Sequence, residues 1–138
     1  MTNWTSRTCA ANGIDIHYLR TGDDMPALIA LHGLTGSGAC WTPLARALED
    51  GYDVIMPSAR GHGASSAPSG GYLYRDLADD VIGLIDALGL TAPILLGHSM
   101  GGMTAAVVRE RDGYGHSQRY PRRSDFPATG APARGLRE

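Results

Sequence analysis

Ser99 carries the strongest chemical signal in this chain. It sits in Gly97-His98-Ser99-Met100-Gly101, a G-x-S-x-G pattern. An apolar run, Ile94-Leu95-Leu96, precedes the pattern, and Met103-Thr104-Ala105-Ala106-Val107-Val108 follows it. Strand, G-x-S-x-G and helix together describe a nucleophile elbow, a sharp corner that lifts a serine hydroxyl clear of a sheet. The spacing has a steric reason. The two backbones pass close at such a corner, and glycine at 97 and 101 removes the side chains that would collide. The helix after the corner points its positive end at the serine, and the Met100 N–H is placed to donate to a developing oxyanion. Without these flanks the motif reads only as a glycine-rich turn.

A second glycine-rich segment, His32-Gly33-Leu34-Thr35-Gly36-Ser37-Gly38, follows the apolar run Ala27–Leu31. Such a loop after a strand can cradle phosphate. This one lacks the lysine and Ser/Thr of a phosphate-binding loop, and its glycines do not fit G-x-G-x-x-G. Flexible backbone that turns an N–H, that of Leu34, toward the reaction site accounts for it better. A third segment, Pro57-Ser58-Ala59-Arg60-Gly61-His62-Gly63-Ala64-Ser65, is also a loop. His62 there is a tempting base, but a histidine between two glycines is read as structural.

These segments need a scaffold. Residues 6–12 and 14–20 flank Asn12-Gly13, a hairpin turn, with Ile14, Ile16 and Tyr18 alternating against Asp15, His17 and Leu19. His17 is expected to face outward with Asp15. Residues 27–31, 52–56 and 94–96 are apolar runs of the length of buried strands. Trp41 to Asp50 and Tyr74 to Leu88 read as helices, the second with a stripe of Leu77, Val81, Leu84 and Leu88 and with Gly89 as its stop. Its acidic residues, among them Asp76, Asp79, Asp80 and Asp86, read as a solvated face. Strands and helices alternate from about residue 27, which implies an α/β fold: an antiparallel hairpin leading into a mostly parallel sheet flanked by helices.

Bulk composition narrows the classes. The 138 residues are 43% hydrophobic and 19% charged, with net charge −2. That is ordinary for a single globular domain and gives no case for nucleic acid or an anionic membrane as partner. The twelve basic residues are all arginine. The N-terminal residues have no apolar core of a signal peptide, and no apolar run approaches the ~20 residues of a membrane span, so the expected location is cytoplasmic. Cys9 and Cys40 suggest neither a disulfide framework nor a metal site, and both are expected to be small buried or half-buried residues. No motif calls for a cofactor or a metal.

Three motifs in order, His32-Gly33 with its loop, Arg60-Gly61-His62-Gly63, and Gly97-His98-Ser99-Met100-Gly101-Gly102, resemble the N-terminal part of α/β-hydrolases of the esterase, haloperoxidase-like and lactonase type. The resemblance covers roughly residues 6–108. It implies that Ser99 is the nucleophile, that Leu34 and Met100 supply oxyanion-hole N–H groups, and that His32, Gly33 and His98 support the loops. It implies a small carbonyl substrate, an ester, lactone or related compound, and no cofactor. Ser58 stands where the family often has Asp. Serine at position 99 also separates the chain from the dehalogenase and epoxide hydrolase branches, which use a carboxylate nucleophile.

A serine needs a base, and the base an orienting acid; in this fold both follow the serine. Beyond Val108 no apolar run is long enough for a strand. Seven of the twelve arginines fall in residues 109–138, with prolines at 121, 127 and 132. That composition predicts disorder rather than a basic nucleic-acid-binding segment. His116, with Asp112 and Asp125, is the only downstream histidine. The elbow helix carries the chain away from the active face before His116 is reached, so it is not expected to complete a triad. The expected organisation is an incomplete hydrolase core over 1–108 and a non-native or disordered tail over 109–138, as in a truncated or frameshifted member. The elbow strand should then be an exposed, apolar sheet edge. The competing reading is a catalytically silent fragment or ligand-binding relative. Oligomeric state is left open.

Overall fold

The computed structural model describes residues 3–22 and 24–113. Asn12 and Gly13, with φ of +51° and +76°, close the hairpin of β1 (Thr5–Ala11) and β2 (Ile14–Arg20). Two positive φ values in a two-residue turn match the right-handed twist of the strands it joins. Ile16 and Tyr18 turn into the core, Asp15 stays exposed, and His17 is half-buried with Nε2 2.7 Å from Ser6 Oγ.

The chain then runs through β3 (Ala27–Leu31), a single 3-10 turn (Gly38–Trp41), α1 (Thr42–Leu48) and β4 (Asp53–Pro57). It continues through α2 (Tyr74–Ala87), β5 (Ile94–Gly97) and α3 (Met100–Gly113). The helix expected from Trp41 is thus split, with Trp41 ending the 3-10 turn. The sheet order is β1-β2-β4-β3-β5. β2 meets β4 antiparallel, while β4, β3 and β5 are mutually parallel neighbours. This is the expected mixed α/β sheet.

Alternation along β3 and β4 builds two layers. Ile29, Leu31 and Ile55 pack with Leu84, Ile85 and Val108 of α2 and α3 on one face. Leu28, Ala30, Val54 and Met56 pack with Ala45 of α1 on the other. A parallel sheet covered on both faces needs such continuous apolar strands. Among the described residues β5 forms one edge of the sheet, and Ile94 there is exposed.

Three expectations change. α3 starts at Met100 and continues to Gly113, beyond the 103–108 run that marks it in sequence. Cys9 is half-buried, but Cys40 is exposed. The acidic face of α2 is not uniformly solvated, because Asp80 is buried. The tail from residue 114, including His116 and Asp125, lies outside the described residues.

Because β4, β3 and β5 run parallel and adjacent, the segments after their C-terminal ends emerge on one side of the sheet. β3 is central and carries the His32–Gly38 loop. β4 carries Ser58–Ser65, and β5 carries Ser99. Topology alone thus gathers the three sequence motifs.

Candidate active site

Ser99 occupies the left-handed region, with φ +51°. A non-glycine residue pays about 1–3 kcal/mol to sit there and does so where its surroundings demand it. The surroundings are backbone. A Cβ on Gly97 would lie 2.3 Å from the Gly101 carbonyl oxygen, and one on Gly101 would lie 2.1 Å from that of Leu31. No L side chain fits either position. The corner is held by His98 N–H donating to Leu31 O (3.1 Å), Gly101 N–H to His98 O (2.9 Å) and Met103 N–H to Ser99 O (3.1 Å). Ser99 and His98 are exposed. Among the described residues, no side chain hydrogen-bonds the Ser99 hydroxyl.

The loop after β3 lies against this corner. A Cβ on Gly33 would stand 3.0 Å from His98 Nδ1, and one on Gly101 2.8 Å from the His32 carbonyl oxygen. His32, Ala59, Met100 and Gly101 border one small cavity of about 30 Å³. The structure thus sets His32 and Gly33 against His98 and Gly101 at the corner that carries Ser99, and Leu34 follows Gly33 on the same loop. The N–H groups of Leu34 and Met100 make no hydrogen bond among the described residues, and Leu34 is 68% exposed.

His32 sets the direction of one of these donors. Ala59 N–H donates to its Nε2 at 3.0 Å, so Nε2 is the acceptor nitrogen. Nδ1 must then carry the proton, and it donates to Gly33 O at 2.7 Å. Gly36 N–H donates to the same oxygen at 3.1 Å. In a planar trans peptide C=O and N–H point in opposite directions. With Gly33 O held toward His32 and Gly36, the Leu34 N–H is turned away from them and left unpaired.

This arrangement requires neutral His32. Burial pushes its pKa below the ordinary histidine value, the Gly33 carbonyl opposes that, and the nearby His62 adds to it. A depressed histidine pKa means that the unfolded chain takes up a proton the folded chain resists. The His32 contribution to stability is therefore complete above about pH 6.5 and declines as pH falls below that. Urea unfolding midpoints measured from pH 7 to 5 are expected to fall, with a shallower slope in His32→Asn. An equal slope in that variant would contradict the assignment.

Two further residues contribute: His62, which the sequence reads as structural, and Asp80, which it places on a solvated face. His62, half-buried, has Nδ1 2.9 Å from Arg60 O and Nε2 2.7 Å from Leu34 O, and its ring centre is 5.0 Å from that of His32. It is tied into the same loops and does not reach Ser99 by any hydrogen bond. Asp80 is the second. Its Oδ2 accepts from Arg60 Nε at 2.6 Å, and its Oδ1 accepts from Arg60 Nη2 at 2.7 Å and from Asn12 Nδ2 at 2.9 Å. Arg60 Nη1 also donates to Gly71 O at 2.5 Å. This buried cluster anchors the Arg60–Gly63 loop to α2 and to the hairpin. The signal was present, since Asp80 is three residues after Leu77 and four before Leu84, inside the apolar stripe.

Ser58, where the resemblance implies an Asp, provides a local bond. Its Oγ accepts from Gly38 N–H at 3.1 Å. Among the described residues, no group of three or more His, Cys, Asp or Glu side chains gathers as a metal site, and no helix is long and apolar enough to cross a membrane.

Comparison with known proteins gives a consistent neighbourhood. The sequence profile described as alpha/beta hydrolase fold matches residues 26–112. A 2-(acetamidomethylene)succinate hydrolase of Mesorhizobium japonicum is 42% identical over 83 residues, covering 60% of this chain and 30% of the relative. A 3-oxoadipate enol-lactonase of Acinetobacter baylyi is 39% identical over 98 residues, 70% of this chain and 37% of the relative. The crystal structure of an epoxide hydrolase from Vigna radiata superposes with a TM-score of 0.79 at 27% identity, over 88% of this chain and 39% of that one. The chain thus spans about a third of the length of the curated relatives it matches.

Proposed function

The chain belongs to the alpha/beta hydrolase fold family, and from that premise we propose that it carries the nucleophile half of a serine hydrolase site for a small ester, lactone or related carbonyl compound. The observation that carries the proposal is Ser99 itself, held at φ +51° on a corner that only glycine at 97 and 101 permits. In this reading the Ser99 Oγ adds to the carbonyl carbon. The carbonyl oxygen takes the negative charge and is met by the Leu34 and Met100 N–H groups, with the N-terminus of α3 adding its favourable field. The Ser99 hydroxyl gives its proton to water; collapse of the tetrahedral intermediate breaks the bond to the alcohol oxygen, which takes a proton back from water, and leaves an acyl-serine that water hydrolyses to the acid and free Ser99. Some relatives are epoxide hydrolases, but a serine at this position supports acyl transfer. His32, Gly33 and His98 serve the shape of the loop and transfer no proton.

A second reading has its own observation. Among the described residues no imidazole meets the Ser99 hydroxyl, so a catalytically silent fragment or ligand-binding relative also fits. The two readings separate on chemistry. Incubation with a fluorophosphonate followed by mass spectrometry is expected to show slow, stoichiometric modification at Ser99 and none in Ser99→Ala. Thermal shifts with small carbonyl ligands and no modification of Ser99 would favour the silent reading.

A further inference from the structure

His62 holds a position that neither an oxyanion donor nor a general base requires. Its two ring nitrogens face two carbonyl oxygens, Arg60 O at 2.9 Å and Leu34 O at 2.7 Å. A carbonyl oxygen only accepts, and a neutral imidazole has one donor nitrogen and one acceptor nitrogen. Both contacts are hydrogen bonds only when both nitrogens carry protons. In the neutral ring one lone pair would face a carbonyl lone pair at hydrogen-bond distance, and one bond would be lost.

The loop that His62 reaches is also held by His32. His32 fixes the Gly33–Leu34 peptide through Gly33 O, and His62 fixes the Leu34–Thr35 peptide through Leu34 O. Two planar peptides anchored on either side of one residue leave that residue little rotation about φ or ψ. Leu34 is 68% exposed, so side-chain packing holds it only weakly. Its backbone direction therefore depends on the two histidines. We propose that His62 is a positioning residue that clamps the Leu34–Thr35 peptide as an imidazolium, so that the loop carrying the Leu34 N–H is released when His62 loses its proton. The functional weight of this clamp rests on the reading of Leu34 as an oxyanion donor.

The surroundings suit a charged ring. From the end of β3 it faces the His32 ring, which accepts a hydrogen bond from Ala59 N–H and whose pKa burial lowers. From its own loop it faces the Arg60 carbonyl, while the Arg60 guanidinium turns away to Asp80 and Gly71 O. From the β3 loop it faces the Leu34 carbonyl. No carboxylate hydrogen-bonds it among the described residues. The elbow's His98 lies against Gly33 of the same loop. His32 and His62 thus divide the work: one is neutral and buried and sets a tautomer, while the other is half-buried and donates from both nitrogens.

The test uses the whole chain, ¹⁵N-labelled, followed by NMR through a pH series. Long-range ¹H–¹⁵N spectra report protonation of each imidazole nitrogen, and the Leu34 and Thr35 amides report the loop. The expected result is a His62 ring protonated on both nitrogens at the acidic end of the series. The Leu34 and Thr35 amide resonances should then move in step with that ring as it deprotonates. In His62→Gln, whose amide donates without titrating, the two amides should lose that pH-linked movement and keep their low-pH positions. In His62→Ala they should sit at the high-pH positions throughout. Loop amides that ignore the His62 ring, or that titrate identically in His62→Gln, would overturn the clamp. Ser99 modification is read separately. A clamp that titrates as described beside a Ser99 that refuses fluorophosphonate sinks the hydrolase reading alone, and the converse result sinks the clamp alone.

Discussion

Asp80→Ala is expected to lower stability by about 3–5 kcal/mol, the cost of stranding one member of a buried ion pair. Arg60 and Asp80 are 7% and 5% exposed, and the guanidinium meets the carboxylate through two nitrogens. Removing the carboxylate leaves the guanidinium inside the protein with Gly71 O as its remaining partner, and it also orphans Asn12 Nδ2. Since small domains unfold with a total of about 5–15 kcal/mol, this is a large fraction of the whole. Asp79→Ala gives the contrast. Asp79 pairs with Arg111 at 2.5 Å, but both side chains are about two-fifths exposed. Its loss should cost no more than ~1 kcal/mol. Urea unfolding of the two variants side by side checks the difference. Equal, small costs would show that solvent reaches the Arg60–Asp80 pair.

The second large effect is on activity. Hydrolysis of p-nitrophenyl acetate by this chain is expected to show little or no turnover that depends on Ser99. Loss of the base in a serine hydrolase costs on the order of 10⁶ in turnover. An oxyanion hole of the kind proposed for Leu34 and Met100, with substrate binding, retains at most ~10³–10⁴ over water. The described histidines are committed elsewhere: His17 to Ser6, His32 to Gly33 and Ala59, and His62 to Arg60 and Leu34, while His98 lies against Gly33. None hydrogen-bonds the Ser99 hydroxyl. Robust turnover abolished by Ser99→Ala would overturn this expectation and point to a base among the residues beyond 113.

The likeness to longer hydrolases and the open β5 edge bear on both results. The part of the relatives that matches here is 30–37% of their length. The described strands already suffice to form the elbow and the loop beside it, because the contacts that fix Ser99 come from β3, β5 and the first turn of α3. Geometry of the nucleophile and completeness of the catalytic group are therefore separable in this fold, and the two predictions probe them independently.

Sequence by itself determined the elements with strong local signals. Asn12-Gly13 sets the hairpin because both residues tolerate positive φ. The runs at 27–31, 52–56 and 94–96 read as strands because continuous apolar segments need burial on both faces, and β3, β4 and β5 lie at or within a residue of them. Gly97 and Gly101 mark the corner because a Cβ at either would meet backbone. Boundaries were less legible. The 3-10 turn ahead of α1 and the eight residues that extend α3 beyond 103–108, three before it and five after it, carry no apolar periodicity to announce them.

Only the tertiary structure decided what the charged and polar side chains do. Asp80 and Asp79 are adjacent acids on one helix, yet one is buried with Arg60 and the other is solvated with Arg111. His62 sits between glycines on a loop, where local sequence gives no direction to a ring, and it finds Leu34 from 28 residues away. His32 owes its tautomer to Ala59, 27 residues on. Local sequence fixes φ, ψ and the burial of apolar side chains because those depend on near neighbours and on water. The partner of a hydrogen bond or an ion pair depends on which loops the sheet order brings together, and that order exists only once β3 lies between β4 and β5.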